Sequence, residues 1–273
     1  MAVKRRRPLH GQGPGASRTA LLGVAALTSV ACSRGRLDAI ELPADALTND
    51  LMAHYTFDDG SGTTVADHSG NKRDGTLVGG QWISDGKFGG ALHLDGASYV
   101  TVDNFPNARS SFSVSAWTRT IEWPDSGTDS GPEGGLATIA STEYVFDGGW
   151  EINVLDRADG ATGLQAAFWD DVLDAYTFSD CLCLQQEPDA WTQFAFVVDG
   201  AAHTMTVYLD GAVVNVVSAP NPIAPGTPQL FIGRWLRPGR LLVGDVDDMA
   251  IYGRALAPAE VQALLLQPPP DVP

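Results

Sequence analysis

Residues 51–80 read LMAHYTFDDGSGTTVADHSGNKRDGTLVGG, a short join follows, and residues 88–102 read FGGALHLDGASYVTV. Two runs in this stretch alternate in character, His54-Tyr55-Thr56-Phe57 and Ala91-Leu92-His93-Leu94. Period-two alternation is the signature of a half-buried strand. The loops between them are built from Gly, Asp, Ser and Asn. Such residues adopt positive φ and bond their own backbone, which tight turns require. The stretch therefore predicts antiparallel strands joined by tight turns.

The pattern continues along the chain. Residues 111–117 alternate, with Trp117 breaking the face toward the sheet rim. Strands are expected at 149–155, 164–169, 191–198, 204–209, 212–217, 229–234 and 244–252. Asp199-Gly200 leads out of one strand and Asp210-Gly211 turns the next, a hairpin signal because type I′ turns want φ > 0 at both central residues. Many short strands without a long helical pattern predict a sandwich or jelly roll. One short helix is expected at 258–266. Pro258 suits its first turn, Glu260 suits the positive end of the helix dipole, and Val261, Leu264 and Leu265 form an apolar stripe. The tail after it, ending PPPDVP, is expected to be extended and loose. Two loops exceed what a hairpin needs, 122–136 and 170–190, and the second, more aromatic and holding two Cys, is the better binding rim.

These stretches, together with DVDDMAIYGRALAPAEVQAL at 245–264, resemble the laminin-G-like, concanavalin A-like lectin/glucanase jelly-roll family over roughly residues 51–266. The resemblance implies an all-β fold, a two-sheet antiparallel sandwich with first and last strands side by side and a short helix after the last. It says little about ligand, because one fold hosts many functions.

Residues 1–31 have the layout of a secretory leader. Basic residues from Lys4 to Arg18 precede the apolar run Ala20 to Leu27, then Thr28-Ser29-Val30-Ala31-Cys32. The run is too short to span a bilayer comfortably. The end resembles a bacterial lipobox, with Ser29 where the pattern prefers Leu. That resemblance makes Cys32 the lipidated first mature residue, and Ser33 after it favours the outer membrane or cell surface. An ordinary leader cut nearby is the alternative. Residues 32–50 would be a tether, 51–267 the jelly-roll domain and 268–273 a Pro-rich tail. The formal charge is −16, and beyond the leader twelve bases face 33 acids, a net −21. Such a surface repels nucleic acid and anionic headgroups, so membrane association is expected through the lipid anchor only.

Asp58, Asp59, Asp67, Asn71, Asp74, Asp245, Asp247 and Asp248 fall in the stretches that carry the resemblance. Calcium takes six to eight oxygens, which Asp-rich loops supply. With the first and last strands adjacent, a structural calcium held by Asp58, Asp67, Asn71 and Asp247 is the expectation; the other reading is that these acids cap turns. Glu151-Ile-Asn153-Val-Leu-Asp156 has the spacing of the E-x-D-x-x-E motif of retaining glucanases, but Asn153 replaces the central acid and Asp156 is one methylene short. Retention needs carboxylates about 5–5.5 Å apart, and the stretch reads as a core strand instead. His54 and His93 lie on strands as structural groups, and neither a zinc-binding H-E-x-x-H nor a G-x-S-x-G elbow occurs. Cys181 and Cys183 would form a strained bridge, remain thiols or pair between molecules. Trp169, Tyr176 and Trp235 are expected on the rim, where sugar rings stack on aromatic faces. Together these features predict a non-catalytic cell-surface binding module for a glycan or an envelope or extracellular protein. The alternatives are a divergent glucanase-like hydrolase or an envelope structural or adhesion subunit.

Overall fold

The computed structural model describes residues 42–107, 110–120, 135–142, 148–156, 162–181, 190–235 and 240–273. Ile40–Pro273 forms one compact unit. The strands, in chain order, are β1 (Leu51–Tyr55), β2 (Thr64–Val65), β3 (Gly75–Val78), β4 (Gln81–Ile83), β5 (Ala91–Asp95), β6 (Tyr99–Asp103), β7 (Phe112–Thr120) and β8 (Gly135–Ser141). They continue with β9 (Trp150–Asp156), β10 (Thr162–Asp170), β11 (Ala175–Cys181), β12 (Thr192–Asp199), β13 (Thr204–Leu209), β14 (Ala212–Ser218), β15 (Gln229–Ile232) and β16 (Val243–Tyr252), and the helix α1 (Pro258–Ala263) follows.

Two eight-stranded antiparallel sheets result. The first runs β14-β13-β12-β7-β16-β5-β4, with β1 also paired to β16; the second runs β11-β10-β9-β8-β15-β6-β3-β2. First and last strands are neighbours, with Tyr55 opposite Met249 and His54 opposite Ala250. Alternate residues of both sheets fill the space between them. Phe112 of β7 stacks on Trp150 of β9 at 5.5 Å and meets Phe196 of β12 edge-on at 5.2 Å. Each fully buried ring of this kind contributes about 1.5–3 kcal/mol. A second cluster covers the far side of the first sheet, where Val261 and Ala263 of α1 and Leu264 just after it pack on Ala195, Val197, Tyr208 and Tyr252. The Glu260 carboxylate accepts the backbone N–H of Ala257 at 2.7 Å and closes the helix start. Arg254 then forks onto Glu260 through two nitrogens at 2.8 and 2.7 Å.

Four expectations change. The first strand ends at Tyr55, because Phe57 takes φ 55 and reaches the core through a left-handed kink. Part of the loop expected at 170–190 is strand β11, after a turn whose Val172 and Leu173 N–H groups are accepted by the Asp170 carboxylate at 2.9 and 2.8 Å. Trp117 is not at a rim: it is buried beneath Lys87, whose ammonium lies 4.0 Å above the ring, and Phe88. The tail is tied down rather than loose. Val272 donates its N–H to the carbonyl of His68 at 2.9 Å, Asp271 pairs with the His68 ring, and Pro269 is buried.

Candidate functional site

The four predicted calcium residues serve as backbone clasps. Asp67 accepts the N–H groups of His54, Ser69 and Arg73 at 2.9–3.0 Å. Asn71 donates its amide to the carbonyls of Leu51 and Met52. Asp58 accepts Gly90 N–H, and Asp247 accepts Lys87 and Phe88 on one oxygen and Asp248 on the other. Asp58 and Asp247 thus hold the 85–90 loop from two sides, while Asp67 and Asn71 bind the loop beside β1. Among the described residues no three His, Cys, Asp or Glu side chains group to hold a metal. The reason is local: each carboxylate sits next to a Gly-rich turn whose amide hydrogens need acceptors.

Burial, and next the neighbouring Asp248 carboxylate, push the Asp247 carboxyl up to about 8, against the amides it accepts. Burial raises Asp248 as well, while its bond to the His54 ring at 3.3 Å opposes the shift. Asp248 takes φ 44 where the β16–β7 register slips, which turns both acids inward at the point where β16 changes partner from β5 to β1. His54, expected as a structural group, is fully buried here.

The outer face of the second sheet offers a different chemistry. Register places Glu151 and Asn153 of β9, Gln165, Ala167 and Trp169 of β10, and Tyr176 and Phe178 of β11 on that face. Their strand neighbours Ile152, Val154, Ala166 and Phe168 enter the core. Outer polar residues usually face water, yet Glu151 is 4%, Asn153 0% and Gln165 4% exposed. They are satisfied by one another. Thr138 of β8 donates to Asn153 at 2.8 Å, and Asn153 donates to Gln165 at 3.3 Å. The two described ends of the connection from β15 to β16, residues 233–235 and 240–242, are tied to β8. Gly233 N–H bonds the carbonyl of Ile139, Thr138 N–H bonds the carbonyl of Arg240, and Ser141 donates to the carbonyl of Arg234. The Arg240 guanidinium lies 4.2 Å over the Trp235 ring and reaches both Glu151 oxygens from one nitrogen at 3.3 Å.

Beside this pair a hollow of about 130 Å³ opens, with Leu136 and Ala167 as floor, Glu151, Gln165 and Arg240 as polar groups, and Tyr176 and Phe178 as aromatic wall. Phe178 is 46% exposed, and Trp169 buttresses Tyr176 edge-on at 4.8 Å. Tyr176 thus lines this hollow, and Trp169 supports it from behind. Trp235 is corrected: it is 5% exposed with Arg240 over its ring, so it backs that arginine instead of forming the rim. Sequence reasoning missed the roles of Gln165, Phe178 and Arg240. The available signals were the alternation in AYTFSDC at 175–181 and the arginines of GRWLRPGR at 233–240 in an acidic chain. A larger hollow of about 500 Å³ lies between Asp58, Trp82 and Ser84. Its carboxylate is bonded to Gly90 and its indole N–H to the carbonyl of Gly62, and glycine backbone makes up much of its wall.

The glucanase-like spacing does not assemble. β9 pairs with β10 from Trp150 to Asp156 without a register shift. Positions five apart on an unbulged strand fall on opposite faces, and Glu151 is engaged by Arg240. Cys183 lies outside the described residues, as do Cys32, the leader and most of the 122–136 loop, so the bridge to Cys181 lies outside them too. No helix among the described residues is long and apolar enough to cross a membrane.

A family model described as the concanavalin A-like lectin/glucanases superfamily, Laminin_G_3, matches residues 94–262. No curated protein matches the chain in sequence. Among solved structures it is similar to domain 4 of AbnA, a GH43 extracellular arabinanase from Geobacillus stearothermophilus, in complex with arabinotriose. The identity is 24% with TM-score 0.57, over 80% of this chain and 98% of that domain. It is also similar to the binding domain of Paraclostridial Mosquitocidal Protein 1 (16% identity, TM-score 0.64, 80% of this chain, 52% of that one). The botulinum neurotoxin serotype G binding domain is similar at 16% identity and TM-score 0.59, over 79% of this chain and 50% of that one. The chain spans about half the length of those toxin domains, and likeness at these identities concerns the fold.

Proposed function

The chain belongs to the concanavalin A-like lectin/glucanases superfamily, and we propose that it is a non-catalytic binding module that captures a glycan on the outer face of its second sheet. The observation that carries this reading is the meeting of Tyr176 and Phe178 with Glu151, Gln165 and Arg240 around one hollow. Sugars have apolar faces and a rim of hydroxyls. Aromatic rings take the first, while a carboxylate, an amide and a guanidinium take the second. A domain similar in fold was solved with arabinotriose bound, which supports testing arabino-oligosaccharides first. In this reading Cys32 carries the lipid anchor, and the residues after it tether the module at the outer membrane or cell surface as far as Ala46 and Leu47, which already pack on the domain.

The test is calorimetric titration of the full chain with arabino-oligosaccharides and a wider polysaccharide panel, with calcium and again with EDTA. Saturable heat is expected. Replacing Tyr176 and Phe178 together by Ala should weaken binding at least tenfold, about 1.4 kcal/mol. The EDTA arm tests the calcium expectation separately. No heat with any glycan from a folded sample would overturn the reading and turn the search to an envelope or extracellular protein partner. Release of new reducing ends during incubation would overturn its non-catalytic part.

A further inference from the structure

We infer that the hollow beside β11 selects a single neutral sugar ring through a pair of adjacent hydroxyls bridging Glu151 and Arg240, and rejects uronic acids and amino sugars. This inference rests on the glycan reading above and adds the charge class and size of the unit recognised.

Size is the first argument. Ligand sites for drug-sized molecules span about 300–1,000 Å³, whereas this hollow is about 130 Å³. Tyr176 and Phe178 stand two residues apart on one face of β11, a separation of about 6.8 Å along a strand. That wall matches one ring rather than an extended chain.

Charge is the second. The hollow holds one carboxylate and one guanidinium in a protein of net charge −16. Their pairing is loose. Charge-assisted N–H···O bonds usually measure about 2.7–2.9 Å, and Arg254 meets Glu260 within that range through two nitrogens. Arg240 instead offers one nitrogen to both Glu151 oxygens at 3.3 Å. Stacking over Trp235 and the strand position of Glu151 hold the two groups apart. An ionised carboxylate only accepts, a guanidinium only donates, and a hydroxyl does both. One hydroxyl of a vicinal pair can donate to Glu151 while its neighbour accepts from Arg240, leaving both ions compensated. A uronate would draw Arg240 away and leave Glu151, 4% exposed, as an unpaired buried charge. A protonated amino sugar would compete for Glu151 and set a second cation beside the Arg240 guanidinium.

The experiment uses the full chain and monosaccharides read by saturation-transfer NMR and calorimetry: arabinose, galactose, glucose and mannose, with galacturonate, glucuronate, glucosamine and deoxy analogues lacking one hydroxyl of a vicinal pair. Neutral sugars are expected to bind at least tenfold more tightly than the uronates and amino sugars, and removing one hydroxyl of the bridging pair should cost about tenfold. Glu151→Gln should narrow or invert the preference toward uronates. If that variant fails to fold, Arg240→Lys, which keeps the charge and loses the planar stack, should lower neutral-sugar affinity while the neutral-over-uronate preference persists. Equal or tighter uronate binding by the unmodified protein, or unchanged selectivity in Glu151→Gln, would overturn this inference and leave the glycan reading standing. Absence of binding by every sugar, charged or neutral, would overturn both.

Discussion

Asp170 is fully buried at the end of β10, and its carboxylate organises the turn that launches β11. It accepts Val172 N–H at 2.9 Å, Leu173 N–H at 2.8 Å and the Asn221 amide at 3.0 Å, with the Thr177 hydroxyl at 3.5 Å. Burial alone would raise its pKa, but these donors outweigh burial and hold it below the usual carboxylate value. Asp170→Asn keeps the shape, removes the charge and turns an N–H2 group toward the donors. Hydrogen bonds to a charged group are worth about 1.5–3 kcal/mol. Val172 and Leu173 are 65% and 61% exposed, so water can replace part of what their amides lose. We expect a net loss of about 2 kcal/mol at neutral pH, or about 4–8 °C in Tm for a domain of this size. The sign with pH follows from linkage. A carboxyl whose folded pKa is depressed adds stability above its unfolded pKa, and that stability is lost as pH falls through the folded value. The gap between parent and variant should therefore hold near neutrality and shrink below about pH 4. Urea unfolding followed by tryptophan fluorescence, from about pH 7 to about pH 2.5, measures it. Equal stability at neutral pH, or a gap that does not close in acid, would refute the role assigned to Asp170. Because the turn positions Tyr176 and Phe178, the variant should also weaken glycan binding.

At the other end of the pH scale Asp247, raised to about 8, makes the folded state bind more protons than the unfolded chain. Stability should fall as pH rises from about 4 to about 8, by at most about 1.4 kcal/mol per pH unit, and a urea midpoint flat across that range would count against it. A Cβ at Gly86 would collide with the carbonyl oxygen of Gly90 in the loop that Asp247 and Asp58 hold. Gly86→Ala should cost about 1–3 kcal/mol by the usual scale of overpacking, and an unchanged Tm would exclude a tight loop there. Arg254→Gln removes the fork onto Glu260 and the bonds to the carbonyls of Ala46 and Asn49. Thermal melts should register a loss of about 2 kcal/mol, and amide exchange in α1 should quicken; slow exchange equal to the parent's would show that packing alone holds the helix.

The strands that the sequence announced are those whose two faces differ in polarity. Phe112, Val114 and Ala116 alternate with Ser113 and Ser115, and both register and core follow that parity. Parity is also correct for Glu151, Asn153 and Gln165, yet it misleads about their surroundings. An outward polar residue normally means water, whereas here all three are buried and Arg240, far along the chain, reaches back to Glu151. That contact is a tertiary event spanning some ninety residues, and no local pattern at 151–165 encodes it. β11 was legible in period two but was obscured by the Asp-rich turn before it and by Cys181 and Cys183 at and beyond its end. The same logic explains why the hollow lies where it does. Buried polar groups must be satisfied: Thr138, Asn153 and Gln165 satisfy one another along the sheet, and Arg240 reaches Glu151. At β11 the wall becomes aromatic, with Phe178 46% exposed. A ligand entering there meets an ordered polar row from its open end, with Arg240 already held by Trp235. The recognising groups are thus fixed before binding, which reduces the ordering cost that association otherwise carries.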